Sequence, residues 1–448
     1  MVKVITYGTY DMFHYGHQRL LERAKALGDY LIVGVTSDSY DLTRGKINAI
    51  QSLMERIESV KATGLADEII VEEYEGQKID DIKRYNVDIF TVGSDWKGKF
   101  DYLKEYCKVV YLERTEGVSS SEIRAEKTEV RIGLVGNTTL INKFEKESHF
   151  VNGVKISGVY TTDDSELSEE IKQLHIKTDN YDLLLEASDA VYIASHPHEH
   201  YEQIKKALLS NKHVLCESPI VINTDDFKEL KQIAKERHLQ LMDAIKTAYS
   251  TAYNRMLVLA KGGKIGEIVS VDSVCTSLSD LEKKTKRGES LDKVWNSICA
   301  WGPTAMLPIF QLLGENYVSK QITSHLLKDN FDVFTKIAFI YPHAVASLKV
   351  GKGVKSEGEL IISGTKGYIY VPAPWWKTDY FEIRYENPAD NRRYFYQLDG
   401  EGIRYEIVSF CKMIQKGDYS CSYISDQVST QFVEIIEDFY KQVDFYDI

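Results

Sequence analysis

The segment from residue 3 to residue 19 constrains the fold of this chain most strongly. A short run of β-forming residues at positions 4–7 ends at Gly8, and an apolar-periodic helix begins near Gly16. A strand that leads through a turn into a helix places the helix N-terminus at the carboxyl edge of a parallel sheet, where open α/β sheets bind ligands. Free N–H groups and the positive end of the helix dipole favour phosphate at such a place. The segment therefore predicts an α/β domain that binds an anion.

Two histidines give this turn its chemistry. His14 and His17 are three residues apart with Gly16 between them, so both imidazoles can face one anion while the backbone approaches it closely. The His-x-Gly-His pattern resembles the signature of the nucleotidyltransferase superfamily, which moves a nucleotidyl group onto a phosphate or a phosphorylated alcohol. Residues 114–123 and 93–100 resemble two further blocks, and together they look closest to the glycerol-3-phosphate cytidylyltransferases. The competing interpretation is that the two histidines only cap a helix in an ordinary α/β domain.

The resemblance implies roles for individual residues. The residues expected to stabilise charge during catalysis are His14, His17, Lys46 and Arg114. The residues expected to bind the nucleotide are Thr9, Tyr10, Asp11, Gly16, Gly93, Asp95, Trp96, Thr115, Ser119 and Ser120. The residues expected to bind the acceptor are Asp38 and Arg56, and Asp11 is also the candidate ligand of Mg²⁺. Two alternatives stay open: Arg56 on a solvated helix face, and a structural role for Trp96.

Composition limits the class of protein and its partners. The 448 residues are 43% hydrophobic and 27% charged, which is typical of a soluble globular protein. The formal net charge of −12 argues against nucleic acid as a partner, so local Arg, Lys and N–H groups must hold a phosphorylated substrate. No apolar run approaches the ~20 residues of a membrane span, and the N-terminus shows no signal-peptide pattern. Six scattered cysteines without metal-binding spacing favour a reducing cytoplasm.

The first part of the chain alternates strand and helix patterns. The apolar runs that predict buried parallel strands lie at residues 30–35, 68–71, 87–92 and 108–112. Helical patterns such as residues 18–27 and 54–63 separate them. This order predicts a small, doubly wound parallel sheet.

A second alternating series starts at residue 130. The strands of this series are expected at residues 130–136, 154–160, 190–194, 213–216 and 239–242, with helices between them. Such an order predicts a Rossmann domain of the dinucleotide-binding type. Its glycine fingerprint is incomplete, because Gly136 is kept but Thr138 stands where a glycine would let the pyrophosphate approach.

Two segments add to this weak fingerprint. Ser195-His-Pro-His-Glu-His200 and Lys212-His-Val-Leu-Cys-Glu-Ser-Pro219 resemble the oxidoreductase family of glucose-fructose oxidoreductase and inositol 2-dehydrogenase. The resemblance extends over residues 129–448 and implies a site for NAD(H) or NADP(H). The residues implied in cofactor binding are Gly136, Thr138, Asp163, Ser195, His196, Pro197, His200, Glu217 and Pro219. Because Asp163 or Asp164 can accept hydrogen bonds from a ribose 2′-OH and would repel a 2′-phosphate, we expect NAD(H) to be preferred.

The catalytic set of that family is changed in this chain. Ser218 replaces the lysine of the Glu-Lys-Pro motif, and Ala300 and Thr304 occupy the positions of the Asp and of the His or Tyr that exchanges the proton. These replacements are poor at proton transfer, which needs a group of suitable pKa. Lys246 is the candidate substitute, and the other candidates are Tyr249, His196 and His200. The competing interpretation places all of these in packing or on the surface.

The last part of the chain is rich in strands. The segments that read as antiparallel strands are residues 268–275, 335–340, 344–350, 359–363, 368–371, 381–385 and 393–398. Amphipathic helices are expected at residues 402–415 and 425–443. In the oxidoreductase family such an open sheet packs against a partner subunit, so the resemblance implies a homo-oligomer. The expected domains are residues 1–127, 128–248 and 249–448.

Two classes of function remain open from the sequence. In the first, the chain is bifunctional: one half reduces a keto-sugar phosphate to an alditol phosphate, and the other converts it with CTP and Mg²⁺ to a CDP-alditol for capsule or teichoic-acid precursors. In the second, the Rossmann half is a degenerate scaffold for dimerisation or regulation of a lone cytidylyltransferase. The acceptor, whether glycerol, ribitol or a longer alditol phosphate, is not specified by the sequence.

Overall fold

A computed structural model describes most of the chain and divides it into two compact units. The described residues are 1–37, 51, 53–74, 76–113, 129–174, 177–279, 295–327, 331–396, 398–417 and 423–448. The first unit comprises residues 1–129 with Phe150–Gly153, and the second comprises Val130–His149 with Val154–Ile448. No helix among these described residues has the length and apolar character needed to cross a membrane.

The described part of the first unit is a parallel sheet with helices on both faces. Its strands are β1 (Lys3–Gly8), β2 (Tyr30–Thr36), β3 (Glu68–Glu72), β4 (Ile89–Gly93) and β5 (Lys108–Leu112), in the order β3-β2-β1-β4-β5. Its helices are α1 (Tyr15–Lys25), α2 (Leu53–Ala62) and α3 (Gln77–Tyr85). β1 lies at the centre between β2 and β4, so the connection reverses direction beside β1 and opens a crevice at its carboxyl end.

The apolar runs form these strands because both faces of the sheet are covered. Val4 and Val33 pack with Leu21 of α1 on one face. Ile5 and Phe90 pack with Ile82 of α3 on the other. Residues that alternate along one strand are thus buried in both directions, and this explains why the strands read as continuous apolar segments. The predicted doubly wound sheet is confirmed.

The second unit begins with the expected Rossmann sheet. Its strands are β6 (Val130–Val135), β7 (Val154–Tyr160), β8 (Lys177–Thr178), β9 (Ala190–Ile193), β10 (His213–Glu217) and β11 (Leu241–Ala244). Its helices are α4 (Thr139–Ser148), α5 (Glu169–Lys172), α6 (Tyr181–Ala187), α7 (Pro197–Leu209) and α8 (Thr224–Glu236). The parallel order β11-β10-β9-β6-β7-β8 places the crevice between the carboxyl ends of β6 and β9.

A mixed sheet and long helices complete the second unit. The helices are α9 (Thr251–Lys261), α10 (Ser297–Leu313), α11 (Ile403–Lys416) and α12 (Asp426–Lys441). The strands are β12 (Ile268–Thr276), β13 (Ser319–Leu326), β14 (Asp332–Ile340), β15 (Val345–Gly351), β16 (Leu360–Gly364), β17 (Tyr368–Val371), β18 (Tyr380–Arg384), β19 (Arg392–Phe395) and β20 (Phe445–Asp447). Their order is β19-β18-β17-β16-β12-β15-β14-β13-β20.

This sheet differs from the expectation in two respects. It is mainly antiparallel as predicted, but β12 pairs in parallel with β15, and β13 pairs in parallel with β20. β13 was also not predicted, because its residues are largely polar and bury little beyond Ile322 and Ser324. Its short neighbour β20 closes one end of the sheet, and β19, which carries Arg392 and Arg393, forms the other.

Candidate functional site

The turn from β1 into α1 is shaped by unusual backbone. Tyr10 has φ 54° and Met12 has φ 47°, in the left-handed region that residues other than glycine seldom adopt. The Tyr10 ring is buried and lies over Gly8, where an added Cβ would come within 3.1 Å of it. Because such strain persists only where the surroundings impose it, the turn is a rigid platform at the sheet edge.

The two histidines meet on this platform. His14 is the N-cap of α1, and its Nδ1 accepts a hydrogen bond of 3.0 Å from the Gly16 N–H. The rings of His14 and His17 are stacked, with centroids 3.9 Å apart and planes 19° apart. Tyr10 meets the His17 ring edge-on at 5.5 Å, and Phe13 lies at the same distance. Because Nδ1 of His14 accepts this hydrogen bond, Nε2 is the ring nitrogen of His14 that can carry a donating proton.

Asp11 and Arg56 fasten the turn to the rest of the unit. Asp11 is buried, and its Oδ1 accepts from the backbone N–H of Gln51 at 3.0 Å. Arg56 is fully buried on α2, and its Nη1 donates to the carbonyls of Thr9 and Thr36, each at 2.7 Å. The interpretation of Arg56 as a residue on a solvated helix face is therefore wrong. A guanidinium makes several directed bonds at once, so Arg56 positions the loop that carries Thr9.

The segment after β4 reaches the same sheet edge. Gly93 ends β4, and Asp95 and Trp96 lie in a short 3-10 turn directly after it. Asp95 is exposed, whereas Trp96 is partly buried against Phe100, with ring centroids 5.8 Å apart. Lys99 places its Nζ 5.0 Å from the Trp96 ring centroid. Trp96 thus packs on the core with one face and meets a cation with another.

A buried ion pair nearby was not found by sequence reasoning. Lys78 of α3 contacts Glu72 at the end of β3, and both side chains are almost completely buried. The Tyr7 hydroxyl donates to Asp81 at 2.8 Å, and Lys78 Nζ lies 4.6 Å from the Tyr7 ring centroid. Buried charges of this kind require partners, and no sequence pattern signals that these residues meet.

Six of the predicted site residues belong to segments that the structure does not describe. The residues that lie outside the described part of the chain are Asp38, Lys46, Arg114, Thr115, Ser119 and Ser120. Their assigned roles stay predictions. The described residues of the first site converge at one edge: His14, His17, Thr9, Asp11 and Gly16 from the β1–α1 turn, and Gly93, Asp95 and Trp96 from the end of β4.

In the second unit, Gly136 marks the crevice. Its φ is 128°, and an added Cβ would lie 2.7 Å from the carbonyl carbon and oxygen of Ala194. Thr138 is the N-cap of α4, and its hydroxyl donates to the Ala194 carbonyl at 3.1 Å. The end of β6 is therefore held close against the end of β9. Asp163 lies exposed beyond β7, where its Oδ1 accepts from the Ser165 N–H at 2.9 Å.

The segment after β9 contains one predicted residue with a structural role. His200 is fully buried, with Nδ1 2.9 Å from the Pro219 carbonyl and Nε2 3.1 Å from the Ser195 carbonyl. Burial lowers its pKa to about 4, and a neutral imidazole can donate to only one of these oxygens. Both ring nitrogens of His200 thus face backbone carbonyls, so the His200 imidazole is unsuited to exchanging a proton with a substrate. His196 is the N-cap of α7, and Pro197 is its first residue.

The replaced motif residue is tied into the sheet. Ser218 donates to Asp243 Oδ1 at 2.7 Å. Glu217, next to it, accepts from the Tyr192 hydroxyl. Burial raises the pKa of Glu217 to about 7, and burial together with Glu217 raises the pKa of the fully buried Glu406 well above its ordinary value. Two carboxyls of this kind favour a bound proton near the carboxyl end of β10.

Lys246 follows β11 and reaches an acidic partner. Its Nζ donates to Glu401 at 3.0 Å, and the Lys246 side chain is 23% exposed. Tyr249 is buried, and its hydroxyl donates to the Asp243 carbonyl at 3.3 Å, so packing describes Tyr249 better than proton transfer. Ala300 and Thr304 lie on α10, as the alignment of motifs requires.

Comparison with known proteins assigns the first unit to a family. Residues 5–126 match the cytidylyltransferase-like family. A glycerol-3-phosphate cytidylyltransferase from Bacillus spizizenii is 52% identical over 126 residues, which are 28% of this chain and 97% of that protein. The Staphylococcus aureus protein of the same name is 44% identical over 126 residues, covering 28% of this chain and 95% of its own length.

The second unit has matches of a different kind. Residues 130–244 match the oxidoreductase family with an NAD-binding Rossmann fold. KijD10, a 3-ketoreductase from Actinomadura kijaniata solved with NADP and TDP-benzene, superposes with a TM-score of 0.61 at 16% identity, over 72% of this chain and 99% of KijD10. A UDP-N-acetylglucosamine 3-dehydrogenase from Acidithiobacillus ferrooxidans superposes with a TM-score of 0.58 at 16% identity. The match covers 70% of this chain and 98% of that protein. At this identity the likeness establishes the fold.

Both resemblances seen in the sequence are thereby confirmed. The chain belongs, through residues 5–126, to the cytidylyltransferase family of nucleotidyltransferases, and it continues into a unit with the fold of the Rossmann oxidoreductases.

Proposed function

We propose that this protein transfers CMP from CTP to an alditol phosphate of the glycerol 3-phosphate class, releasing pyrophosphate. The observation that carries the proposal is the stacked pair His14 and His17 at the N-terminus of α1. An oxygen of the acceptor phosphate forms a bond to the α-phosphorus while the bond to the bridging oxygen breaks, and pyrophosphate leaves with the electron pair. Little covalent chemistry is needed, so catalysis consists of positioning and of stabilising the developing charge.

Each described group has a defined part in this step. The Nε2 proton of His14 and a ring N–H of His17 donate to oxygens of the transferring phosphate, where negative charge grows. The backbone N–H groups of the first turn of α1 add a positive end, and Gly16 lets the phosphate approach them. Arg56 holds the Thr9 carbonyl, so it positions this loop, and its role in acceptor binding stays a prediction.

The described residues offer few ligands of their own to Mg²⁺. In the described residues no group of three or more His, Cys, Asp or Glu side chains is arranged around a common centre. Asp11, buried at the sheet edge, is the carboxylate that we assign to the ion. This fits Mg²⁺, which is commonly bound by one or two carboxylates together with substrate phosphates. When bound, the ion neutralises charge on the triphosphate.

The test measures pyrophosphate release from CTP, ATP, UTP and GTP with glycerol phosphate, ribitol phosphate and longer alditol phosphates. We expect CTP to be preferred, and His17→Ala to lower kcat by roughly 10²-fold or more, as loss of a preorganised donor does. His14→Asn is the better variant at position 14, because asparagine keeps an N-cap acceptor while it removes the imidazole. His343→Ala, at an exposed histidine of the second unit, is the control. Preference for ATP, or normal turnover in folded His17→Ala, refutes the assignment.

We further propose that the second unit binds NAD(P)(H) and reduces a keto-sugar phosphate, so that the protein is bifunctional. The close approach of Gly136 to Ala194 supports a retained dinucleotide crevice. Asp163 favours NAD(H), although Lys177, which pairs with Asp164 beside it, supplies a cation that a 2′-phosphate would need. Calorimetry with NADH and NADPH, with absorbance of the nicotinamide during turnover, tests this. If neither cofactor binds at millimolar concentration, the unit is the scaffold of the alternative hypothesis.

A further inference from the structure

Three lysines of the second unit converge on one carboxylate. Glu401 accepts from Lys246 at 3.0 Å and from Lys143 at 3.1 Å through Oε2, and its Oε1 lies 3.0 Å from the Nζ of Lys377. Lys143 comes from α4, Lys246 from the turn after β11, and Lys377 from the 3-10 turn before β18. One carboxylate neutralises one of the three cations. The group therefore keeps a formal charge of +2 in a chain whose net charge is −12.

The carboxylate is held in this position by its backbone. Gly400, Glu401 and Gly402 have φ angles of 56°, 54° and 91°, so Glu401 itself is in the left-handed region. A residue other than glycine seldom adopts this region without a compensating interaction. Burial disfavours the charged form of Glu401, but hydrogen bonds from Lys377, Lys246 and Lys143 outweigh this and lower its pKa to about 2. The lysines thus form a site that strongly favours an anion.

A cavity adjoins this site and shares one of its lysines. The cavity has a volume of about 560 Å³. Its walls include the indoles of Trp301 and Trp376, with ring centroids 4.9 Å apart, and the side chains of Lys355 and Lys377. A cavity lined by aromatic rings and lysines fits a ligand that has both an apolar face and an anionic group. A phosphorylated carbohydrate has both.

We propose that Lys143, Lys246 and Lys377 bind the phosphate of a phosphorylated carbohydrate whose carbon skeleton lies against Trp301 and Trp376, and that the Glu401 carboxylate occupies this phosphate site until the ligand displaces it. The choice of a ketose phosphate as ligand rests on the proposed reductase function. The anion site itself rests on the lysine geometry alone. A dianionic phosphate carries more charge and more acceptor oxygens than the carboxylate, so it satisfies three ammonium groups better.

The experiment compares ribulose 5-phosphate with ribulose on the full-length protein. Binding is followed by calorimetry and by quenching of tryptophan fluorescence, with inorganic phosphate as a competitor. We expect the phosphorylated ligand to bind at least ten-fold more tightly than the neutral one, and Lys377→Gln and Lys143→Gln each to weaken it about ten-fold, as loss of a charge-assisted hydrogen bond does. Glu401→Gln removes the competing anion and should tighten binding several-fold.

The control is Lys206→Gln, because Lys206 makes a comparable pair with Asp182 at 2.8 Å on the surface of the same unit. Melting temperatures of all variants are recorded so that loss of folding is not mistaken for loss of binding. Equal affinity for ribulose and its phosphate, no change in the lysine variants, or weaker binding in folded Glu401→Gln overturns the inference. NADH binding is measured on the same samples: if NADH binds and the phosphate does not, the anion site is wrong while the reductase proposal stands.

Discussion

Substitution of Gly136 by alanine tests how the crevice between the ends of β6 and β9 is built. The new Cβ would lie 2.7 Å from the Ala194 carbonyl carbon and oxygen, so the ends of β6 and β9 would have to separate by several tenths of an ångström. Overpacking of this kind costs about 1–3 kcal/mol, and an L-residue at a φ of 128° adds roughly 1–3 kcal/mol. Alanine also lowers the conformational entropy of the unfolded chain, which stabilises the folded state by about 0.4–1 kcal/mol. We therefore expect a net loss of roughly 1–6 kcal/mol.

Gly263→Ala is the matched control. Gly263 has φ 75°, but no atom lies within 4 Å of its added Cβ, so only the backbone term applies and we expect a loss of about 1 kcal/mol. Urea unfolding monitored by tryptophan fluorescence reports mainly on the second unit, because four of the five tryptophans lie at residues 295–376. NADH affinity should fall in Gly136→Ala and stay unchanged in Gly263→Ala. Equal destabilisation by the two substitutions would refute the close-approach argument.

Two further outcomes concern buried charge. Lys78→Met leaves the Glu72 carboxylate buried without this cation and should lower the free energy of unfolding by about 3–5 kcal/mol. The double variant Lys78→Met with Glu72→Met should lose less. Calorimetry of the two single variants and the double variant measures the coupling energy, and a coupling energy of zero would contradict this reasoning. Because burial raises the pKa of Glu217 to about 7 from 4.5, the folded state keeps a proton that the unfolded chain releases, and the free energy of unfolding should fall as pH rises through that window. Glu217→Gln should flatten this fall and exposed Glu236→Gln should not, as measured by urea titrations at several pH values.

Local patterns predicted the parallel sheets well. The strand expected at residues 68–71 is β3, Glu68–Glu72, and the strand expected at 154–160 is β7 within the same bounds. Central strands such as β2 are buried on both faces, so their apolar runs carry the signal in themselves. The parallel pairing of β12 with β15 could not be predicted from local patterns, because contacts between distant parts of the chain decide which strands become neighbours.

Site residues that are close in the sequence were predicted better than those that only the fold brings together. His14 and His17 were expected to act together because three residues along one turn place them side by side, and their rings are stacked. Arg56 was expected to bind the acceptor phosphate or to lie on a solvated helix face, since a helical pattern cannot tell which carbonyls a buried guanidinium will find. Lys143 and Lys377 are more than 230 positions apart, and only the assembled fold of the second unit brings both to Glu401.

The two ends of the mixed sheet bear on how copies of this protein meet. An unpaired edge strand invites another chain to extend the sheet, and short or charged edges discourage this. β19 is four residues long and begins with Arg392 and Arg393, and β20 at the other end is three residues long. These short edge strands disfavour open-ended polymerisation by strand addition. If copies associate, as the family resemblance leads us to expect, the broad face of the sheet can pack against the same face of a second copy. Such a symmetric interface ends with the dimer.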